Sequence, residues 1–156
     1  MGSLIEDTKT HADWVANALK SSGYKANFSM ESLKEIDRFF DEQSHDGQPT
    51  PGGLLSEQLG SRMFALGSYV GETIRRLYGG KWVANDNDPR GEINIEFHLP
   101  DGTIMWPVQR VMKRYKNGSE DGIHVYGMVA AEKFSDPPNQ APAKPGGKFG
   151  KKESIT

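Results

Sequence analysis

The stretch Leu54–Trp82, LLSEQLGSRMFALGSYVGETIRRLYGGKW, decides how the rest of the chain is arranged. Leu55, Leu59, Met63, Leu66, Val70, Ile74 and Leu77 recur at steps of three and four, the period of one helical face. Phe64, Ala65 and Tyr78 spread apolar character onto other faces, which marks a helix enclosed on most sides. Its start is set either by Pro51, placed where a missing N–H costs nothing, or by Gly52-Gly53, which moves it nearer Leu54. Gly79-Gly80 ends it. Gly60, Gly67 and Gly71 each cost ~1 kcal/mol relative to alanine in a helix interior. Gly67 and Gly71 share a face, where another backbone or an aromatic ring can come close; the N-terminal helices or a hairpin are the expected neighbours. Glu72 precedes Arg75 and Arg76 by three and four residues, the favourable acid-first order. The plainer reading is a solvated pair. Burial would make the pairing obligatory, because breaking a buried pair costs about 3–5 kcal/mol.

Two helices are expected before this stretch. Ile5, Thr8, Ala12, Val15 and Leu19 form one stripe over Leu4–Ser21, widened by Trp14 and Ala18 and stopped at Ser21-Ser22-Gly23. Ser29 is placed to cap a second helix, with Phe28 and Leu33 as a hydrophobic staple and Leu33, Ile36 and Phe40 facing inward. Residues 41–53 read as a polar loop.

Beyond Gly80 the period changes to two. Ile93, Ile95, Phe97 and Leu99 alternate with Glu92, Asn94, Glu96 and His98, which predicts a half-buried strand. Pro100-Asp101-Gly102 is a turn, Thr103–Trp106 returns, and Trp82-Val83 adds a third short strand. Pro107 then opens an amphipathic helix with Val108, Val111, Met112 and Tyr115 inside and Gln109, Arg110, Lys113, Arg114 and Lys116 outside. Asn117-Gly118 closes it, and Ser119 is a candidate cap for the next element. Residues 119–134 fit a helix, with a strand as the alternative. The expected fold is α+β: N-terminal helices around a long central helix, then a small antiparallel hairpin or sheet and one or two further helices. It forms a single domain over residues 1–134, with a disordered Pro/Gly/Lys-rich tail over 135–156.

The 156 residues, 35% hydrophobic and 26% charged, suffice for one soluble globular domain. There is no cysteine, hence neither a disulfide nor a thiolate metal site. No apolar run approaches the roughly 18 residues of a membrane span, and the N-terminus lacks signal-peptide regions, which points to the cytoplasm. A net charge of −2 argues against non-specific nucleic-acid binding. Four lysines against two acids put +2 in the tail and leave −4 elsewhere.

No motif carries a chemistry outright, and no cofactor is implied. An EF-hand begun at Asp86 would need Arg90 as a ligand and Phe97 where an acid is required, so Asn85–Asp88 is a polar loop rather than a metal site. The four histidines lack ligand spacing. Glu96 and His98 share an outward strand face as an acid–base candidate. Three groupings remain: acids Asp41, Asp46, Asp86 and Asp88 as a partner-binding surface; Tyr69, Glu72, Arg76 and Trp82 as a cleft in which Glu72 would have a raised pKa; and Arg110, Lys113 and Arg114 as a basic face. That face lacks interleaved aromatic residues, which weakens a nucleic-acid role.

The run Leu66-Gly67-Ser68-Tyr69-Val70-Gly71-Glu72, then Ile74-Arg75-Arg76, Gly79-Gly80 and Trp82, resembles a pattern of small uncharacterised bacterial α+β domains, LGxYxGExIRRxxGGxW. The likeness extends from Ser32 to about Met128, through Asp101-Gly102, Pro107 and Asn117–Gly122. It brings no catalytic residue. It implies an immunity-protein-like, non-enzymatic protein-binding domain of toxin–antitoxin type, whose partner is a toxin or effector protein met through the acidic loops. The alternatives are a small-molecule binder or enzyme at the Tyr69/Glu72/Arg76/Trp82 cleft, and a nucleic-acid-associated protein using Arg110–Lys116.

Overall fold

The computed structural model describes residues 3–135; the expected tail lies outside them, apart from Ser135. The fold is α+β. Helix α1, Leu4–Ser21, starts on a capping box in which Ser3 Oγ accepts from Glu6 N–H at 3.1 Å and the Glu6 carboxylate accepts from Ser3 N–H at 3.2 Å. It buries Thr8, Ala12, Val15, Ala16 and Leu19, chiefly against the central helix. Trp14, expected on the inner stripe, is 49% exposed, and Ile5 is also on the surface. Helix α2 spans Ser32–Gln43, with Ser29 Oγ accepting from Ser32 N–H as the turn closes. A two-stranded ribbon comes next, β1 (Ser44–His45) antiparallel to β2 (Gln48–Pro49).

The central helix α3 runs Leu59–Tyr78. It starts later than either Pro51 or Leu54. Residues 51–58 wind through turns instead, with Gly53 N–H on Thr50 O, Ser56 N–H on Gly53 O, and Gln58 left-handed at φ 55°. Three side-by-side helix-breaking residues, Pro51-Gly52-Gly53, make that outcome the cheaper one. Leu55 is buried all the same. From Met63 to Ile74 every residue of α3 is buried, so the central position is the observed one.

Strands β3 (Lys81–Val83), β4 (Glu96–His98) and β5 (Ile104–Met105) form an antiparallel sheet in that order, with Trp82 opposite Phe97 and Phe97 opposite Met105. The Pro100–Gly102 turn closes with Leu99 N–H on Thr103 O at 2.8 Å, and Gly102 takes φ 92°. The expected strand is shortened at its start. Gly91–Asn94 is a single helical turn, α4, which removes Ile93 from the alternation. The Asp88 carboxylate holds this turn by accepting from Arg90 N–H and Asn94 Nδ2. A Cβ on Gly91 would stand 2.6 Å from Leu4 Cδ1, so the backbone there is pressed against α1.

Helix α5 is Pro107–Asn117, followed by a 3-10 turn, Gly118–Asp121, and helix α6, Ile123–Ser135. Helix, not strand, is therefore the outcome after residue 119. Its cap is not Ser119. The Asp37 carboxylate of α2 accepts from Ile123 N–H at 2.8 Å and His124 N–H at 2.9 Å, satisfying two first-turn donors from across the fold.

Candidate functional site

The conspicuous polar cluster on α3 faces inward. Glu72 is 0% exposed, which overturns the solvated pair expected from spacing. Arg75 Nε and Nη2 each donate to its carboxylate at 2.8 Å, Trp82 Nε1 donates at 2.8 Å, and Arg76 stands 3.8 Å away. Burial pushes the carboxyl pKa up, but the Arg75 and Trp82 donors pull it further down, so it lies below its ordinary value. That is the opposite of the raised pKa expected of a general acid. Gly71 explains how the indole reaches the carboxylate: a Cβ there would sit 2.2 Å from the Trp82 ring. Gly67 performs the same role for α5, since its Cβ would stand 2.6 Å from Val108 Cα. The close neighbours of these two glycines are thus a strand tryptophan and a later helix, not α1 or α2.

Tyr69 continues the packed chain. Its hydroxyl accepts from Phe28 N–H at 2.9 Å and lies 2.6 Å from Ser32 Oγ, and burial raises its pKa. Phe28 stacks on the Tyr69 ring at 4.6 Å, and the Arg76 guanidinium lies 3.6 Å from the Phe28 centroid while reaching Asp13 at 3.3 Å. Tyr69, Glu72, Arg76 and Trp82 are therefore brought together, but as a packed assembly that lines neither the hollow between α3 and Pro107–Asn117 nor the small cavity between α1 and α3.

The basic face loses a member. Arg114, placed outside by its helical position, is 3% exposed. It donates to Asp37 at 2.9 Å and to Asp41 at 2.6 Å, ties α5 to α2, and has a raised pKa: desolvation lowers it, and the two carboxylates outweigh that. Arg110 pairs with Asp121 at 3.1 Å and covers the Tyr126 ring at 4.8 Å. The Tyr126 hydroxyl is buried near the Trp106 backbone without completing a hydrogen bond, and desolvation raises its pKa. Lys113, alone of the three, faces water without an ion pair to any described residue, joined by Lys116.

The acids also divide. Asp41 holds Arg114. Asp86 accepts from Leu4 N–H at 2.9 Å, and Asp88 supports α4. Asp46, in the β1–β2 turn, is exposed beside His45 at 3.2 Å. Glu96 and His98 do meet at 2.7 Å on the open sheet face. Among the described residues no three His, Asp or Glu side chains gather as a metal-ligand set.

The open concavity lies elsewhere. A hollow of about 540 Å³ runs between the first turns of α3, through Leu59, Gly60, Met63 and Phe64, and the outer length of α5, through Val108, Met112, Lys113, Tyr115 and Lys116. Glu92 and Ile93 close one side, fixed to α5 by Gln109 Nε2 on Ile93 O at 3.3 Å; Gly47 closes another, with its N–H on Tyr115 O at 3.0 Å. This is the size range of ligand pockets, about 300–1,000 Å³. Its wall is apolar and its charges are Lys113, Lys116 and Glu92, none of which is engaged by another residue among those described. The adjacent start of α3 has no side-chain cap. A second cavity, about 130 Å³, lies between α1 and α3 beside Trp14 and Arg62. Periodicity does not reveal the large hollow, because Leu59, Met63 and Met112 look like ordinary core positions.

No family model, curated protein or solved structure matches this chain.

Proposed function

We propose that this chain is a non-enzymatic binding domain and that the α3–α5 hollow is its binding face. One contrast carries the reading. The buried charged groups among the described residues, Glu72 and Arg114, are saturated by fixed partners, whereas the cations at the hollow are engaged by no other described residue and its wall is apolar. A general acid or base needs a group poised near the working pH within reach of a substrate. Glu72 is held the other way and is enclosed by Arg75 and Trp82.

A fragment screen followed by amide NMR tests this. Responses concentrated on Leu59–Phe64 and Val108–Lys116 support it. Responses centred on Tyr69–Trp82, or chemical turnover of a bound fragment, overturn it. A second reading, toxin neutralisation through the acidic loops, is favoured by Asp46, whose side chain is 81% exposed. Reversing that charge would then slow association with a basic partner, and an unchanged association rate would count against it.

A further inference from the structure

We propose that the α3–α5 hollow takes a linear amphiphilic anion, a fatty-acid-type carboxylate whose hydrocarbon chain lies along Met112, Leu59 and Tyr115 and whose head meets Lys113 and Lys116. This rests on the hollow being the binding face and adds the chemical class of the ligand.

Three observations carry it. First, the surface the hollow offers is apolar and adaptable: Met112 is exposed and Leu59 and Tyr115 are half-buried along it, over a floor of buried Met63, Phe64 and Val108. Methionine is unbranched and adaptable, so such a wall conforms to an alkyl chain more readily than to a fixed polar skeleton. Second, Met112 is exposed on a helix that buries Val108 and Val111, and it shares the hollow with half-buried Leu59 and Tyr115. Apolar surface gathered in one concavity, unlike a single exposed side chain, marks a binding groove. Third, the charges on the lining are asymmetric. Lys113 and Lys116 are one turn apart on α5, and Glu92 sets one negative charge against their two, leaving the rim net positive. Lys116 also suits the C-terminal end of its helix, but Lys113 stands a turn earlier, where the dipole effect has faded.

The alkyl chain would supply the driving force through burial of its methylenes, at about 0.8 kcal/mol each in general. The lysines would set its orientation and reject a cationic head. A neutral alcohol of the same length loses the orienting contact, and a short carboxylate loses the burial.

Sodium decanoate, titrated into the full chain by calorimetry at low salt, is the direct probe, with butyrate, decanol and decyltrimethylammonium as comparators. Saturable one-to-one binding of decanoate is expected, with the Met112 methyl resonance moving. Butyrate and decyltrimethylammonium should bind at least tenfold more weakly. The double variant K113E/K116E should weaken decanoate roughly tenfold while keeping its melting temperature, and added salt should narrow the difference. M112W, which fills the hollow from an exposed position, should weaken it without reversing any charge. Decanoate that fails to saturate, binds K113E/K116E as well as wild type, or is matched by decyltrimethylammonium overturns the proposal. If decanoate fails while fragments still map to the hollow, the ligand class falls and the binding-domain reading stands. If fragments map elsewhere, both fall.

Discussion

The two ends of helix α3 invite comparison. Its C-terminal half carries Tyr69, Glu72, Arg75 and Arg76, the densest collection of chemically capable side chains in the protein, and it is closed. Its N-terminal turns carry Leu59, Gly60, Met63 and Phe64, chemically plain; Met63 and Phe64 are buried, while Leu59 and Gly60 keep surface facing the hollow. At the closed end each carboxylate oxygen of Glu72 has a fixed donor; at the other end the α5 lysines facing the hollow pair with no other described residue. A crowded polar motif in a central helix is therefore a structural joint, joining α3 to the sheet through Trp82. The plainer end retains the freedom to bind.

The largest effect should come from opening the joint. Glu72→Ala leaves the Trp82 indole N–H buried without an acceptor. Arg75 is 35% exposed and can turn to water, so the loss is discounted below that of a fully buried pair, to about 2–4 kcal/mol. Thermal unfolding should show a fall of roughly 4–16 °C at about 2–4 °C per kcal/mol for a domain of this size. A shift under about 2 °C, worth less than 1 kcal/mol on that scale, would mean that the cluster is not a joint.

The same residue sets a pH dependence. The folded pKa of Glu72 is below its ordinary value of 4.5, so its contribution is fully present above the unfolded value. It is lost as pH falls through 4.5 towards the folded value. Glu72→Gln should therefore flatten the stability–pH curve on the acid side of 4.5 while leaving its slope near neutral pH unchanged. Parallel curves for the two proteins would contradict this.

Next in size are the two glycines. Gly71→Ala drives a methyl into the Trp82 ring and Gly67→Ala drives one into the Val108 backbone; overpacking of this kind costs about 1–3 kcal/mol. The two variants sharpen the comparison because only Val108 lines the hollow. Gly67→Ala should alter ligand affinity as well as denaturant midpoint, and Gly71→Ala only the midpoint. Asp37→Asn should cost about 1.5–3 kcal/mol, since it weakens the charged acceptor shared by Arg114 and the α6 cap. Hydrogen exchange should show the loss first at Ile123 and His124. Smallest of all, Lys113→Ala with Lys116→Ala should change stability by under about 0.5 kcal/mol. A larger loss would place those lysines in the fold rather than at a binding face.

Much of the fold was legible along the chain. Helix α1 from Leu4 to Ser21, the inward Phe97 and Leu99, the Asp101-Gly102 turn and the start of α5 at Pro107 all derive from local period and turn chemistry. These act over a few residues and need no knowledge of neighbours. The misjudged points have particular causes. Ile93 leaves the alternation because the Asp88 carboxylate holds a helical turn there, and Arg114 obeys the pattern that placed it outside but is drawn inward by Asp37 and Asp41 of α2.

By itself the sequence determined that a long apolar helix lies at the centre, that two glycines on it invite close approach, and that a small hairpin and a Pro-started helix come after it. Periodicity and backbone propensity are properties of neighbouring residues, so one dimension suffices for them. Only the tertiary structure decided that Glu72 is enclosed, that Arg114 is a clamp, and that a hollow opens between the start of α3 and α5. Burial and charge pairing depend on which atoms arrive from elsewhere. The acid-first spacing of Glu72 and Arg75 is the same whether water or an indole ring completes the shell.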